Sequence, residues 1–360
     1  MLTKLDRYII KKYLSTFLFI CLIFTIVSVA LDFSEKVDEA IEHQISAKVF
    51  IFDYYIPFIP YINGLLWPIF ALIAVIFFTS RLASNSEIIS IYNSGTSFYR
   101  LMLPYFLTAS FLTGLLLVGN HIVIPKSNKS RIDFENQYIW KRNIESKVHN
   151  IHMFLEDDTK LYIRRYSIDD SLAYDVTLEK LKDNKLQSKL FSSRAEWLTE
   201  EKKWRLKNYR IRNLKGLKEE LIIGKTIDTT LSVGPQDLEI RDNEKTAMTS
   251  KELKQFFSDE RQWGLAKPEL FEVEYYRRWA DPFTLLILTF IGMSIASRKI
   301  RGGIGIQLIN GVTIGALFVM LSKFSATFCI NGGLAPWIGM WIPNIVFSGV
   351  VIWLITRAQK

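Results

Sequence analysis

The chain has 360 residues, 49% of them hydrophobic and 22% charged, with 45 Lys and Arg against 36 Asp and Glu for a net charge of +9. The charge is segregated: residues 125–275 hold 29 Lys/Arg and 27 Asp/Glu, and the flanks hold the other 16 and 9 beside long apolar runs. This excludes a soluble chain, and it excludes a basic nucleic-acid binder, because the excess positive charge adjoins membrane spans instead of forming one polar face.

In chain order the apolar segments are Tyr13–Leu31, Ile56–Thr79, Leu101–Ile124, Trp279–Ala296, Ile304–Cys329 and Trp337–Ile355. Each is near the ~20 residues that span a hydrocarbon core, and the fourth is the shortest. No small-residue cleavage site follows the first run before the acidic stretch Asp32–Glu42, so a cleaved signal is not expected. Pro57, Pro60 and Pro68 predict a kinked second span, packed against a neighbour that meets the freed carbonyls. With both termini cytoplasmic, the ends and short loops on that side carry eleven bases, among them Lys11, Lys12, Arg81, Arg100 and Arg298, against only Asp6 and Glu87. The outer loop Asp32–Asp53 carries Lys36 and Lys48 against six acids. This asymmetry sets the orientation.

The loop after the second span runs from Arg81 to Gly95. Ser84 or Ser86 can cap a short helix there, with Glu87 in its first turn, where the helix dipole favours an anion. Ile88, Ile91 and Tyr92 form one apolar stripe at helical spacing, and Gly95 stops the helix. Two readings stand at this point: an amphipathic loop lying on lipid, or a coupling helix inserted into a cytoplasmic partner.

Residues 125–275 contain no span and lie outside the cytoplasm in this topology. Period-two runs at Lys160–Arg165, Tyr174–Leu181, Trp204–Ile211 and Glu220–Ile223 are separated by turn signals at Asp169-Asp170, Asp183-Asn184, Lys215-Gly216 and Gly234-Pro235. They predict an all-β sandwich or partly open barrel. Thr249–Glu260 predicts a short capped helix, and a Gly264–Pro268 turn leads back to the membrane. The fold class is an α-helical membrane protein with six transmembrane helices and an all-β domain between helices 3 and 4. The expected domains are 1–124, 125–275 and 276–360.

The sequence offers little chemistry. Cys21 and Cys329 both lie in apolar runs, so no disulfide framework is expected. His149 and His152 are an ordinary strand or loop pair in preference to a metal site. No phosphate-cradling Gly-Lys-Ser/Thr loop, Gly-x-Ser-x-Gly elbow or His-Glu-x-x-His occurs. Gly302-Gly303-Ile304-Gly305 follows a basic loop and is expected to be a tight cytoplasmic turn. No catalytic, cofactor-binding or metal-binding residue is expected, and the chain is not an enzyme.

Four stretches together resemble the YjgP/YjgQ permease family, the membrane subunits LptF and LptG of the lipopolysaccharide exporter. They are Arg81-Leu-Ala-x-x-Ser-Glu87 with Gly95 and Pro104; Pro125-x-Ser-Asn128; Met248-Thr-Ser-Lys-Glu-Leu253 with Arg277 or Arg278 and Asp281-Pro282; and Arg301-Gly-Gly-x-Gly305 with Pro336 and Trp341-Ile-Pro-Asn344. Their order and spacing hold over essentially the whole chain. The opening Leu5-Asp-Arg-Tyr-Ile9 is more like the LptG type. The resemblance implies an ABC-transporter permease without its own ATPase, paired with a second YjgP/YjgQ subunit (LptF-like) in a heterodimer. It further implies a cytoplasmic ATPase dimer (LptB-like), a single-span bridge protein (LptC-like), and periplasmic β-jellyroll domains that receive lipopolysaccharide. By resemblance, Glu87 is the position that meets the ATPase, with Ile88, Ile91, Tyr92 and Gly95 shaping its helix.

Family members often place bases at the outer ends of the early spans, whereas that region is mostly acidic here. Candidate contacts to lipid phosphate are Lys36, Lys48, Lys126, Lys129 and Arg131, each also readable as a solvated surface charge. Lys323 lies inside the fifth span, where an ion is expensive; it can snorkel to the headgroups, pair with an acid of the partner subunit, or meet substrate phosphate. Asp281 is expected to be the N-cap of the fourth span. Two other classes compete. Lipoprotein-release or macrolide-export permeases carry their outer domain between spans one and two. A membrane-anchored structural or sensing protein with a periplasmic β interaction domain has no need of the loop helix.

Overall fold

Long apolar stretches in lipid must satisfy every backbone group internally, which leaves the helix as their only open-chain solution. In the computed structural model, residues 3–139, 147–155, 159–167, 170–182, 185–215, 218–238, 244–263, 268–298 and 303–358 are described. Their helices are α1 (Lys4–Glu42), α2 (Ala47–Ser84), α3 (Glu87–Asn93), α4 (Phe98–Ile139), α5 (Ser250–Trp263), α6 (Pro268–Ala296), α7 (Gly303–Asn331) and α8 (Pro336–Arg357). Among the described residues, α1, α2, α4, α6, α7 and α8 are long and apolar enough to cross a membrane, and they contain the six predicted segments.

The helices outrun the apolar segments. α1 continues through the acidic stretch to Glu42, and α2 stays helical past its prolines, with widened π-helical turns at Phe50–Tyr55 near its start. The fourth span is not the shortest. It has 29 residues against 22 for α8, and it starts at Pro268, whose fixed φ suits a first helical turn. Asp281 is therefore mid-helix and not an N-cap. The polar stretch Glu272–Asp281 hid this in the sequence, because its charges dilute the apolar signal while pairing within the fold.

The chain divides into two units. The first comprises Met1–Phe134, Thr246–Ser250 and Glu272–Lys360. One apolar cluster joins Ile9, Tyr13 and Phe17 of α1, Ala74, Val75 and Phe78 of α2, and Leu101, Tyr105 and Ala109 of α4. A second joins Leu72 and Ile76 of α2 to Leu288 and Ile291 of α6, Phe318 of α7, and Phe347 and Val351 of α8. Glycine sets the α2–α7 approach: a Cβ on Gly311 would collide with Ile76 Cδ1, and one on Gly315 would lie 3.1 Å from Leu72 Cδ2. Pro282 leaves the Arg278 carbonyl without its helical donor, and Asn120 Nδ2 of α4 donates to it at 3.4 Å. Asn344 of α8 donates to the Ala280 carbonyl at 2.8 Å and accepts from Thr284 Oγ1 at 3.0 Å.

The second unit, Glu135–Lys245 with Lys251–Phe271, holds one antiparallel sheet. Its strands are β1 (Lys147–Leu155), β2 (Thr159–Ser167), β3 (Leu172–Lys182), β4 (Lys185–Leu198), β5 (Lys203–Lys215) and β6 (Lys218–Thr229), paired in chain order. The four predicted runs fall on β2, β3, β5 and β6. The described strands form a single meander instead of two facing sheets. Its register aligns Leu161, Leu178, Leu190 and Ile211 across four strands, and Ile163 with Val176 beside them. Period-two alternation puts Met153, Leu161, Ile163, Val176 and Leu206 in one buried cluster. Val233 and Leu238, from the segment after β6, join that cluster, and Trp204 Nε1 donates to the Val233 carbonyl at 2.8 Å. Of the predicted turns, Gly234-Pro235 opens a single helical turn, Pro235–Leu238. Asp169, Asp183, Asn184, Gly216, residues 264–267 and Arg301-Gly302 lie outside the described residues.

Candidate functional site

The α2–α4 connection folds as the spacing predicts, with one change at its start. α3 runs Glu87–Asn93, and Gly95 ends it at φ +83°, a conformation that L side chains rarely adopt. Ser84 is the last residue of α2, and Ser86 is the N-cap residue but makes no side-chain cap. Ser86 is left-handed (φ 62°), and its carbonyl accepts from Ser90 N and Ser90 Oγ. The apolar stripe turns inward. Ile88 is 1% exposed within the α1–α2–α4 cluster, and Ile91 and Tyr92 pack against that cluster. The stripe thus seats α3 on its own bundle and leaves Ile89, Ser90 and Asn93 exposed. Glu87 is half-buried; Oε2 accepts from Tyr8 OH at 3.1 Å and Oε1 from Asn85 Nδ2 at 3.3 Å.

The candidate lipid-contacting bases are dispersed. Lys36 is largely buried, paired to Asp32 Oδ1 at 2.9 Å and bonded to Tyr54 OH, with its ammonium over the Tyr54 ring. It is the internal partner of an acid. Lys48, Lys126 and Lys129 are exposed. Arg131 donates to Asn128 Oδ1 at 2.8 Å and stacks 4.6 Å from the Tyr61 ring. Lys323 is exposed on α7 and lines a cavity of about 110 Å³ with Arg277, Asp281, Thr284 and Phe318.

That cavity adjoins a charged network that the sequence motifs contained without revealing. Arg277 pairs with Glu274 at 2.7 Å and with Asp281 at 3.8 Å. Arg278, 5% exposed, pairs with Glu274 at 3.2 Å and donates to the Met248 carbonyl at 2.7 Å. Asn128 Nδ2 donates to Thr246 Oγ1 at 2.7 Å, and His121 Nδ1 lies 2.6 Å from Ser250 Oγ. The second and third recognised stretches are therefore linked through the flanking residues Thr246 and His121. The available signal was five charges, Glu272, Glu274, Arg277, Arg278 and Asp281, within ten residues that lead into a spanning segment. Asp6 and Arg100 were also missed as a pair; both Asp6 oxygens accept from Arg100, at 2.8 and 2.6 Å.

Along the sheet lies a cavity of about 530 Å³, lined by Leu155, Leu178, Leu190, Ile211 and Leu231 together with Thr159, Ser188 and Asn213. Ile163 and Val176 lie instead in the closed part, under Val233 and Leu238.

A family model described as lipopolysaccharide export system permease LptF/LptG matches residues 7–357. The chain is 21% identical over 299 residues to the lipopolysaccharide export system permease protein LptG of Haemophilus influenzae, covering 81% of this chain and 82% of that one. It is 20% identical over 358 residues to the protein of the same description from Escherichia coli K12, covering 98% of each.

Proposed function

Because the chain belongs to the lipopolysaccharide export system permease LptF/LptG family, we propose that it is one of two six-span subunits of an ABC transporter that extracts lipopolysaccharide from the inner membrane. It works without an ATPase of its own. A second, LptF-like permease pairs with it, an LptB-like ATPase dimer drives it, and an LptC-like single-span protein receives the lipid. Both termini are cytoplasmic by the positive-inside rule, which puts the β domain in the periplasm. Residues 1–124 and 276–360 form the membrane parts and 125–275 the periplasmic jellyroll-type domain.

The single observation that carries the reading is the family match from residue 7 to 357, which spans both membrane parts and the β insertion together. Within it the roles follow from chemistry. Glu87 offers a carboxylate to a base on the ATPase. α1 and α7 line the lipid gate; Leu18, Leu22, Ile26 and Leu31 of α1 are each 59–63% exposed, which suits a helix facing acyl chains or a partner subunit. Lys323 supplies positive charge to the phosphates, with further bases from the second subunit. The cavity along the sheet, where Leu155, Leu178, Leu190 and Ile211 lie beside polar Thr159, Ser188 and Asn213, takes acyl chains as they leave the membrane.

The test is affinity purification of the tagged chain from its native membrane, followed by mass spectrometry. A small ATPase and a second six-span permease are expected to come with it. Reconstitution of that complex should give ATP-dependent release of lipopolysaccharide. Purification of the chain with neither partner would refute the assignment.

A further inference from the structure

We propose that Asp6, Tyr8 and Arg100 are positioning residues that clamp the foot of α1 to α3 and α4, so that displacement of α3 moves α1. The inference rests on the reading of Glu87 as the ATPase contact and adds the route from that contact to the gate.

The clamp has a strong half and a weak half. The strong half is Asp6, 1% exposed, which closes the first turn of α1 by accepting from Thr3 N at 2.8 Å and receives Arg100 in a bidentate fork. Such a fork fixes orientation as well as distance. Breaking it leaves a carboxylate buried without its cation, so the pair separates only with the elements that carry it. Arg100 sits in the first turn of α4, where its N–H donates to the cap Ser97 Oγ, five residues beyond the glycine that ends α3. Arg100 and α3 therefore share one short connection.

The weak half is the bond from Tyr8 OH to Glu87 Oε2, at 3.1 Å on the exposed side. Glu87 has its other oxygen on Asn85 Nδ2 at 3.3 Å. Both are hydrogen bonds from neutral donors. A guanidinium or ammonium from a docking protein adds a full opposite charge that a phenol or amide donor lacks, and so displaces Tyr8. Beneath, Ile88 belongs to one buried cluster with Ile9 of α1 and Leu101 of α4, so α3 is seated on the packed core that both helices share. The arrangement holds α1 when Glu87 faces inward and frees one of its two ties when Glu87 is taken by a partner. Tyr8 is 40% exposed, so exchange needs no unpacking of the core.

The experiment uses the complete permease–ATPase complex in proteoliposomes containing lipopolysaccharide, with Tyr8→Phe, Arg100→Lys and Glu87→Arg compared with wild type. Three quantities are read: lipid-stimulated ATP turnover, lipopolysaccharide released per ATP hydrolysed, and the distance between spin labels at Leu22 and Val312 with and without ATP. Tyr8→Phe removes one oxygen from an exposed ring, and Arg100→Lys keeps the charge but not the fork. Both are expected to release several-fold less lipopolysaccharide per ATP and to lose the nucleotide-dependent change in distance. A merely structural role would lower the yield of complex and leave the ratio per ATP intact. Wild-type ratios and distance changes in both variants overturn the clamp while leaving the Glu87 contact standing. Full coupling in Glu87→Arg overturns the contact and the clamp with it.

Discussion

Arg278 donates to the carbonyl of Met248 at 2.7 Å, which ties the short segment Thr246–Ser250 to α6 inside the first unit. The same guanidinium pairs with Glu274, itself buried. Arg278→Ala should therefore remove the side-chain donor from the Met248 carbonyl and leave the buried Glu274 with Arg277 as its remaining cation, at a cost of about 1–3 kcal/mol. The check is thermal unfolding of the chain in a lipid nanodisc, where Arg278→Lys should recover part of the loss. An unchanged midpoint for Arg278→Ala would show that water replaces the guanidinium.

Glu87→Arg should leave the chain inserted and folded, because the side chain is half-buried and its bonds are few. It should nevertheless abolish lipid stimulation of ATP turnover, since the reversed charge opposes both the helix dipole and a basic docking partner. Turnover of the reconstituted complex, measured with and without lipopolysaccharide, decides this.

Lys323→Ala and Lys36→Ala should behave differently. Lys323 is exposed at a cavity mouth, and a base near an anionic surface is worth ~1 kcal/mol, so its loss should weaken lipid loading several-fold. Lys36 is occupied by Asp32 and Tyr54. Its removal should lower thermal stability more than loading. Crosslinking of lipopolysaccharide to α1 before ATP is added reports loading, and equal loading in both variants and wild type would leave entry to apolar contacts.

The sheet makes a positional prediction. Photo-crosslinkers at Leu190 and Ile211, which line the open cavity, should capture lipopolysaccharide in an ATP-dependent way. The same probes at Ile163 and Val176 should capture far less, because Val233 and Leu238 cover that part. The reverse pattern would mean that the covering segment moves aside and the open cavity is incidental.

Arg205 of β5 holds Asp228 of β6 in a fork at 2.8 and 2.9 Å, and this hydrogen bonding depresses the Asp228 carboxyl below its ordinary value. A depressed carboxylate stabilises the fold fully above its unfolded pKa, near about 4, and loses that contribution as pH falls through the lower folded value. Thermal stability of the full chain should thus be flat in this respect at neutral pH and decline in acid. Asp228→Asn should shrink the acid decline; an identical acid limb would assign it to other carboxylates.

The spans were legible because each is a long apolar run, and Glu87–Gly95 because helix punctuation is local. β1 and β4 escaped for related reasons. β4, Lys185–Leu198, carries paired serines and scattered charges that blur alternation, and its place comes from pairing with β3 and β5. β1 starts in a polar stretch and is fixed by β2. The direction of the Ile88 stripe was not readable, since an apolar face is the same whether it meets its own bundle or a partner. For Lys36 the sequence shows a base among acids but not the fold that brings it together with Asp32 and Tyr54.

The glycines facing α2 have a mechanical corollary. Gly311 and Gly315 let the α7 backbone approach Leu72 and Ile76, and a Cβ added to Gly292 of α6 would lie 3.2–3.3 Å from Leu72, Val75 and Ile76, so three helices meet closely at their seam. α1 meets α2 through larger side chains and shows most of its outer surface. Packing in the membrane unit is therefore lopsided, with a glycine-lined seam on one side and a helix exposed along much of its length on the other. Gly311→Ala should push the Ile76 side chain into another rotamer and lower the thermal midpoint in a nanodisc, whereas small residues introduced along the exposed face of α1 should change it little.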